Sequence, residues 1–171
     1  MTATFANRGR SLEAVVIASQ SDSRGPVLRL DKFPTSSKRI AGGKIIQLKS
    51  PVDFIGEVFG SGRAVHLDCK QCDSPNRFPI GNVDHFPAHQ REWLIRHGTA
   101  GAIAGLVVEA THENQGKFYW MDWRAMHWNT ASITWAEFAL DRGNLRCLGD
   151  NLHTIQFRRL FEPAGVPGEG R

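Results

Sequence analysis

The sequence predicts a mixed α/β domain, with helices before and within a set of strands that form a mixed sheet. Five segments have the apolar alternation, or the short apolar run, that is typical of strands. These segments begin at Val27, Phe54, Val65, Ala102 and Lys117. With 171 residues, 41% of them hydrophobic, the chain is expected to form one domain with its own core. We place that domain at residues 7–162, followed by a disordered, Gly- and Pro-rich tail at residues 163–171.

Two helices are delimited by recognisable start and stop signals. Ser11 can cap a first helix that runs to about residue 20, after a basic turn at residues 7–10. Pro87 opens a second helix, which Gly98 is expected to end.

The central stretch of the chain predicts a β-hairpin that gathers charged residues. Asp68 and Lys70 are two positions apart in an alternating run, so they share one face of a strand, and Cys69 points to the other face. The Gly-Ser-Gly sequence at residues 60–62 suits a tight turn. This turn would fold Asp53 back towards Asp68, which places two carboxylates and a lysine in one small volume.

Two adjacent carboxylates repel each other, and a bound cation can offset that repulsion. Mg²⁺ prefers oxygen ligands and needs only one or two protein carboxylates, with water and phosphate completing its coordination. A lysine beside such a metal can orient the attacking water or stabilise the developing charge on a phosphate. The hairpin therefore predicts a site for phosphodiester hydrolysis.

A basic segment at residues 35–49 precedes this hairpin. We interpret it as a flexible hairpin or projecting arm around the Gly-Gly pair at residues 42–43, and a solvated linker is the alternative. Its cations suit contact with phosphates, and the net charge of +4 is compatible with a polyanionic partner. These cations are Lys38, Arg39, Lys44 and Lys49.

Composition narrows the setting. Three cysteines, an odd number, argue against a disulfide framework. The polar start of the chain resembles no secretory signal, and the longest apolar run, residues 100–108, is too short to span a bilayer. We therefore expect a cytoplasmic protein, in a bacterium or a phage-infected host cell, with no membrane partner.

Six short motifs then follow one another within residues 7–122. They read N-R-G-R-S-L-E, P-V-D-F-I-G, H-L-D-C-K, R-F-P-I, H-F-P-A-H-Q and Y-W-M-D. The second and third resemble the PD-(D/E)XK nuclease motif. The ordered set resembles the RecU-type Holliday junction resolvases, in their bacterial or phage form.

This resemblance implies a restriction-endonuclease-like PD-(D/E)XK fold, in which helices flank a central mixed sheet and a basic arm projects. It implies a homodimer that binds Mg²⁺, with Mn²⁺ as the alternative metal. Such an enzyme cuts four-way DNA junctions by paired, symmetric nicks, in recombination, repair or phage DNA processing.

The family's site residues carry over to matching positions of this chain. The catalytic set implied by the resemblance is Asp53, Asp68, Lys70, Glu13 and Gln90. The metal ligands would be Asp53, Asp68 and Glu13, with the backbone carbonyl of Cys69 as a further candidate. Glu13 also has a simpler interpretation, as an acid near the start of a helix that faces the positive end of the helix dipole.

The resemblance also suggests which residues meet DNA. Arg8 lies in the N-R-G segment that is close to DNA in the family, and Arg10 belongs to the same basic turn. His89 can approach a phosphate, and the basic arm takes the place of the stalk that the family inserts at the junction centre.

Two positions depart from the family's pattern. Asp68 stands where members usually have Glu, so the carboxylate is one methylene shorter, and a changed metal preference is expected. Val52 stands where a Thr tends to precede the first acid, which removes a hydroxyl near the metal or DNA.

Three alternatives remain open from the sequence. The same motif fits a restriction-like or general nuclease of duplex DNA, and it fits a catalytically silent protein that binds DNA junctions. Cys69 and Cys72 form a C-x-x-C pair that can indicate zinc or redox chemistry, although Cys147 and His66 complete a four-ligand site poorly.

Overall fold

The computed structural model describes residues 5–34, 37–39, 42, 45–47, 50–112, 117–127, 130–140, 144–149 and 154–161. Its helices are α1 (Phe5–Ala18), α2 (Ala88–Thr99) and α3 (Trp135–Ala139). Its strands are β1 (Ser21–Asp22), β2 (Gly25–Pro26), β3 (Leu28–Lys32), β4 (Ser37–Arg39), β5 (Ile45–Gln47), β6 (Phe54–Val58), β7 (Ala64–Cys72), β8 (Arg77–Phe78), β9 (Ile103–Ala110), β10 (Lys117–Asp122), β11 (Ile133–Thr134) and β12 (Leu145–Gly149). Two 3₁₀ turns lie at Trp123–His127 and Phe157–Leu160.

The centre of the fold is a six-stranded sheet with the order β12-β10-β9-β7-β6-β3. The β7–β9 pair is parallel and the other neighbours are antiparallel. The connection from β7 to its parallel neighbour β9 contains α2, as a crossover between parallel strands requires. The protein is thus a mixed α/β protein with a central mixed sheet flanked by helices, as the sequence predicts at this level.

The two faces of the sheet bury two separate apolar clusters. On one face, Leu12 and Val16 of α1 pack with Leu67 of β7. On the other face, Leu94 of α2 packs with Cys72 of β7. Because side chains alternate along a strand, the even-numbered residues of β7 face α2 and the odd-numbered residues face α1.

The first helix begins earlier than the sequence predicts. α1 starts at Phe5, so the expected basic turn at residues 7–10 is wrong, and Ser11 lies inside the helix instead of capping it. Burial of Leu12 and Val16 stabilises the helix, and propagation from a buried turn is favourable. A single glycine at position 9 costs only about 1 kcal/mol relative to alanine, which is too little to end the helix.

Gly98 does not end α2, and its role is in packing. The helix continues to Thr99, and the chain reverses at Gly101, whose φ is +98°. A Cβ at Gly98 would lie 2.2 Å from Cδ1 of Trp123, so the absence of a side chain lets that indole pack directly against the helix. The local stop signal was therefore read correctly in residue type but not in purpose.

The smaller elements extend the prediction. β12 joins β10 at the edge of the sheet, and the sequence analysis missed it because the strand is short and follows no clear turn signal. β4 and β5 pair in a two-stranded sheet of their own, with Gly42 at a φ of +89° between them, so the hairpin within the basic segment is confirmed for these residues. The tail at residues 163–171 lies outside the described residues. Within the ranges given above, no helix is long and apolar enough to cross a membrane.

Candidate functional site

The β6–β7 hairpin brings the two predicted carboxylates together. The strands are antiparallel, and they turn through Gly60 and Gly62, both of which have positive φ. Phe54 pairs with Leu67 in this register. Asp53 directly precedes Phe54 and Asp68 directly follows Leu67, so the two acids lie across from each other, as the sequence predicts.

Three backbone groups fix Asp53. Its N–H donates to the carbonyl of Leu67 (3.1 Å), and its carbonyl accepts from the N–H of Phe33 (2.7 Å). Its Oδ2 accepts from the N–H of Cys69 (2.7 Å). The carboxylate thus satisfies a β7 donor at the point where β6 begins, which holds it against β7 beside Asp68.

Asp68, Lys70 and Gln90 form a closed polar triangle. Lys70 Nζ lies 2.6 Å from Asp68 Oδ2 and donates to Gln90 Oε1 at 2.9 Å. Gln90 Nε2 donates to Asp68 Oδ1 at 3.1 Å. Asp68 is completely buried, and the Lys70 side chain is 14% exposed. One amide from α2 therefore holds both the acid and the lysine of the D-C-K motif.

Burial makes both carboxylates reluctant to ionise. It raises the pKa of Asp68 to about 7; the charge of Lys70 acts in the opposite direction, and the charge of Asp53 raises the pKa further. Burial also raises the pKa of Asp53, against the lowering effects of the Cys69 N–H and of Lys70. This is the electrostatic tension that the sequence argument expects of paired carboxylates, and it marks functional-site candidates in general.

Glu13 lies near this pair but has a partner of its own. Its Oε2 accepts from Lys32 Nζ at 2.6 Å. Its negative charge contributes to the raised pKa of Asp53, so α1 does bring Glu13 to the neighbourhood of the site. Its role as a metal ligand stays a prediction.

The residues at the site fit a hard divalent cation of low protein coordination. Among the described residues, no group of three His, Cys, Asp or Glu side chains is close enough to hold a metal ion. Asp68 Oδ2 is buried and accepts no hydrogen bond of normal geometry, although Lys70 lies beside it. Two carboxylates with one such oxygen suit Mg²⁺ or Mn²⁺, which accept water and phosphate as their other ligands. The carbonyl of Cys69 stays a predicted further ligand.

The C-x-x-C alternative does not fit the fold. Cys69 packs against the cluster under α1, and Cys72 lies in the cluster under α2. Side chains on opposite faces of one strand cannot share a zinc ion or form a disulfide. Burial also raises the pKa of the Cys69 thiol well above its usual value, which disfavours the reactive thiolate.

The predicted DNA-contacting residues are placed only in part. Arg8 and Arg10 belong to α1, with side chains outside the described set. His89 is exposed in the first turn of α2, and Lys38 is exposed on β4. Arg39 belongs to β4 with an undescribed side chain, and Lys44 and Lys49 lie outside the described residues.

The sequence analysis missed an aromatic and imidazole cluster next to the triangle. Trp93 Nε1 donates to His66 Nδ1 at 3.2 Å, and the His66 and His97 rings stack at 4.1 Å. Trp93 lies three residues after Gln90, so both residues project from α2 towards β7. The signal was the helical spacing of Gln90, Trp93 and His97, which lies opposite His66, Asp68 and Lys70. This cluster fixes the position of α2 and with it Gln90.

Lys32 is a second residue that the sequence analysis missed. It ends β3 and pairs with Phe54, which places it beside Asp53. There it binds Glu13.

The raised pKa of Asp68 predicts a pH-dependent stability in metal-free protein. The folded state retains the proton up to about pH 7, whereas an ordinary Asp loses it near 3.8. Between these values the folded state binds more protons, so the free energy of unfolding should fall by a few kcal/mol as the pH rises. Urea unfolding in EDTA across this range should show the slope, and Asp68→Asn should reduce it. Asp31→Asn, an exposed acid on β3, is the control; equal slopes in all three proteins would contradict the prediction.

Comparison of the sequence with models of known protein families gives no match, and comparison with curated proteins gives no significant match. The interpretation of the site therefore depends on its own geometry and chemistry.

Proposed function

We propose that the protein is a metal-dependent endonuclease of the PD-(D/E)XK type that resolves four-way DNA junctions. One observation carries the proposal: the Asp53 and Asp68 carboxylates, the Lys70 ammonium and the Gln90 amide converge on one end of the β6–β7 hairpin. A Holliday junction resolvase of the RecU type, active in recombination, repair or phage DNA processing, is the specific form that the ordered motifs favour.

Each residue of this set has a definite task in hydrolysis. Asp53 and Asp68 would hold the cation, which polarises the scissile phosphate and lowers the pKa of a bound water. Lys70 would orient the attacking water or stabilise the charge that develops on the phosphate. Gln90 holds the Lys70 ammonium at 2.9 Å, and so keeps it beside the carboxylates. Attack of water on phosphorus breaks one P–O ester bond and leaves a phosphate monoester and a hydroxyl.

Junction selectivity is proposed for the basic arm and a homodimer. A four-way junction has near two-fold symmetry, so a dimer with C2 symmetry would present two matching sites to opposite strands. Sedimentation that finds only monomer at micromolar concentration would contradict this part of the proposal.

The deciding experiment compares a labelled four-way junction with a linear duplex of matching sequence, in Mg²⁺ and in EDTA. We expect paired nicks on the junction alone, and their loss in EDTA. Cutting of both substrates would instead indicate a general or restriction-like duplex nuclease, for which the same four residues are equally suited.

One observation favours a second candidate, a catalytically silent protein that binds DNA junctions. Asp68 is completely buried and its Oδ2 already has Lys70 Nζ at 2.6 Å, so a cation must displace that ammonium before it can bind. Junction binding without cutting in Mg²⁺ or Mn²⁺ would support this candidate.

Removing the charges of the arm should weaken junction binding specifically. Replacing Lys38, Arg39 and Lys44 with alanine is expected to lower affinity for the junction roughly tenfold, because each lost phosphate contact reduces the salt slope of binding by about 0.9. Fluorescence anisotropy at several salt concentrations measures both quantities.

The matched control for the arm removes the same charge elsewhere. Its three substitutions replace exposed arginines outside the arm, namely Arg24, Arg29 and Arg96. Equal losses of junction affinity in the two triple variants would show that the arm has no special role.

A further inference from the structure

A second concave site lies on the same face of the sheet as Asp68 and Lys70. It is a cavity of about 300 Å³ between α3 and the ends of β9 and β10. Its wall includes Pro75, His112, Lys117, Tyr119, Trp135 and Ala139. A volume of this order lies at the lower end of the range for small-molecule sites.

Two aromatic rings give the cavity a fixed apolar wall. Tyr119 and Trp135 stack with centroids 5.4 Å apart and ring planes 13° apart. Trp135 Nε1 donates to the carbonyl of Ser74 at 2.9 Å, and Phe138 packs against both rings. The indole is therefore held in place before any ligand arrives, which lowers the entropic cost of stacking on it.

Small residues keep the remaining wall open. Ala110, Ala136 and Ala139 line the cavity, and none of them reaches into it beyond a methyl group. Ala136 and Ala139 are exposed on α3, so larger side chains there would fill the cavity without displacing the core.

The polar groups of the cavity favour an anion. Lys117 and His112 are the basic residues of its wall, and no acid is among the described residues that line it. An aromatic wall with adjacent basic groups is the combination that binds single-stranded nucleic acid, in which bases stack on rings and phosphates meet cations.

Strand register relates this cavity to the catalytic candidates. Lys70 pairs with Val108, and Val108 pairs with Tyr119, so the three residues form one row across β7, β9 and β10. Two strand spacings separate Lys70 from Tyr119, which is about 10 Å between their backbones. The nucleotides next to a phosphate held at Lys70 are within reach of the cavity.

We propose that this cavity binds one unstacked nucleotide of the DNA strand, with its base against the Tyr119–Trp135 pair and its phosphate towards Lys117 and His112. The inference rests on the proposed function, because the nucleotide belongs to the strand that is cut at Asp53 and Asp68. The ring faces provide no base-specific hydrogen bonds, so binding should tolerate any base.

The test uses mononucleotides, metal-free protein and a variant that fills the cavity. Titration of ¹⁵N-labelled protein with dTMP or dAMP in EDTA should shift the amide signals of Ala110 and Lys117 and the indole signal of Trp135. Ala139→Leu should weaken dTMP binding at least tenfold. Ala14→Leu, at an exposed position of α1, is the matched control and should bind as the parent does. Both variants should keep the parent's unfolding temperature, because both positions are exposed on helices.

The outcomes separate the cavity from the nuclease. Absence of these shifts, or an unchanged dTMP affinity in Ala139→Leu, would overturn the inference. Inorganic phosphate that binds as tightly as dTMP and shifts the same signals would also overturn it, because the base would then contribute nothing. Nucleotide binding with no cleavage of any DNA would overturn the proposed function and leave the cavity assignment standing.

Discussion

Replacement of Asp53 with asparagine is expected to reduce cleavage of a four-way junction by roughly three orders of magnitude or more, because it removes one of two charges that would hold the metal. Junction affinity should stay within about twofold of the parent's, since the arm and its charges are unchanged. Single-turnover cleavage in Mg²⁺ and anisotropy in EDTA measure the two effects. Full activity of Asp53→Asn would remove the basis of the proposed site.

The fold should tolerate this substitution. Asn keeps an oxygen that can accept from the Cys69 N–H, which now lies 2.7 Å from Asp53 Oδ2. The raised pKa of Asp53 means that its charge is unfavourable in the folded, metal-free protein. We therefore expect Asp53→Asn to unfold at the same temperature as the parent or a few degrees above it, as is common when a strained functional group is neutralised. Asp31→Asn, at an exposed position, should leave cleavage unchanged.

Replacement of Lys70 with methionine should separate metal binding from catalysis. Lys70 Nζ is 2.6 Å from Asp68 Oδ2, so it neutralises the carboxylate that a metal would use. Without that ammonium, Mn²⁺ should bind about tenfold more tightly, equivalent to about 1.4 kcal/mol. Cleavage should fall on the order of 10²–10³-fold, because the positive charge that acts on the phosphate is lost. Calorimetric titration with Mn²⁺ and single-turnover cleavage give the two numbers.

Lys32→Met is the matched control for this prediction. Lys32 binds Glu13 at 2.6 Å, in the same way that Lys70 binds Asp68. If only the two aspartates hold the metal, Lys32→Met leaves Mn²⁺ affinity close to the parent's. Tighter binding in Lys32→Met would support Glu13 as a third ligand. An unchanged affinity in Lys70→Met would refute the idea that the lysine competes with the metal.

The part of the site that lies within one hairpin could be predicted from sequence. The alternation from Val65 to Lys70 and the glycine turn at residues 60–62 are local signals, and both are confirmed. Strand periodicity assigns Asp68 and Lys70 to one face, and the hairpin register brings Asp53 opposite Asp68. These features depend on backbone geometry that a few adjacent residues determine.

Features that depend on contacts between distant segments could not be predicted in this way. The α1 boundary was misplaced because burial against the sheet, rather than Ser11, decides where that helix is stable. Gly98 was taken as a helix stop because only the packed fold places Trp123 against it. Short strands such as β12 owe their existence to pairing with a neighbour and carry little signal of their own.

The sequence by itself determined the chemistry available to this protein: two carboxylates and a lysine on adjacent strands, and a basic hairpin before them. The tertiary structure alone decided how these groups are held. It buried Asp68 completely, which raises its pKa to about 7, and it brought Gln90 of α2 against both Asp68 and Lys70. The physical reason is that side-chain direction along a strand is a local property, whereas burial and the Gln90 contacts arise only when α2 packs on the sheet.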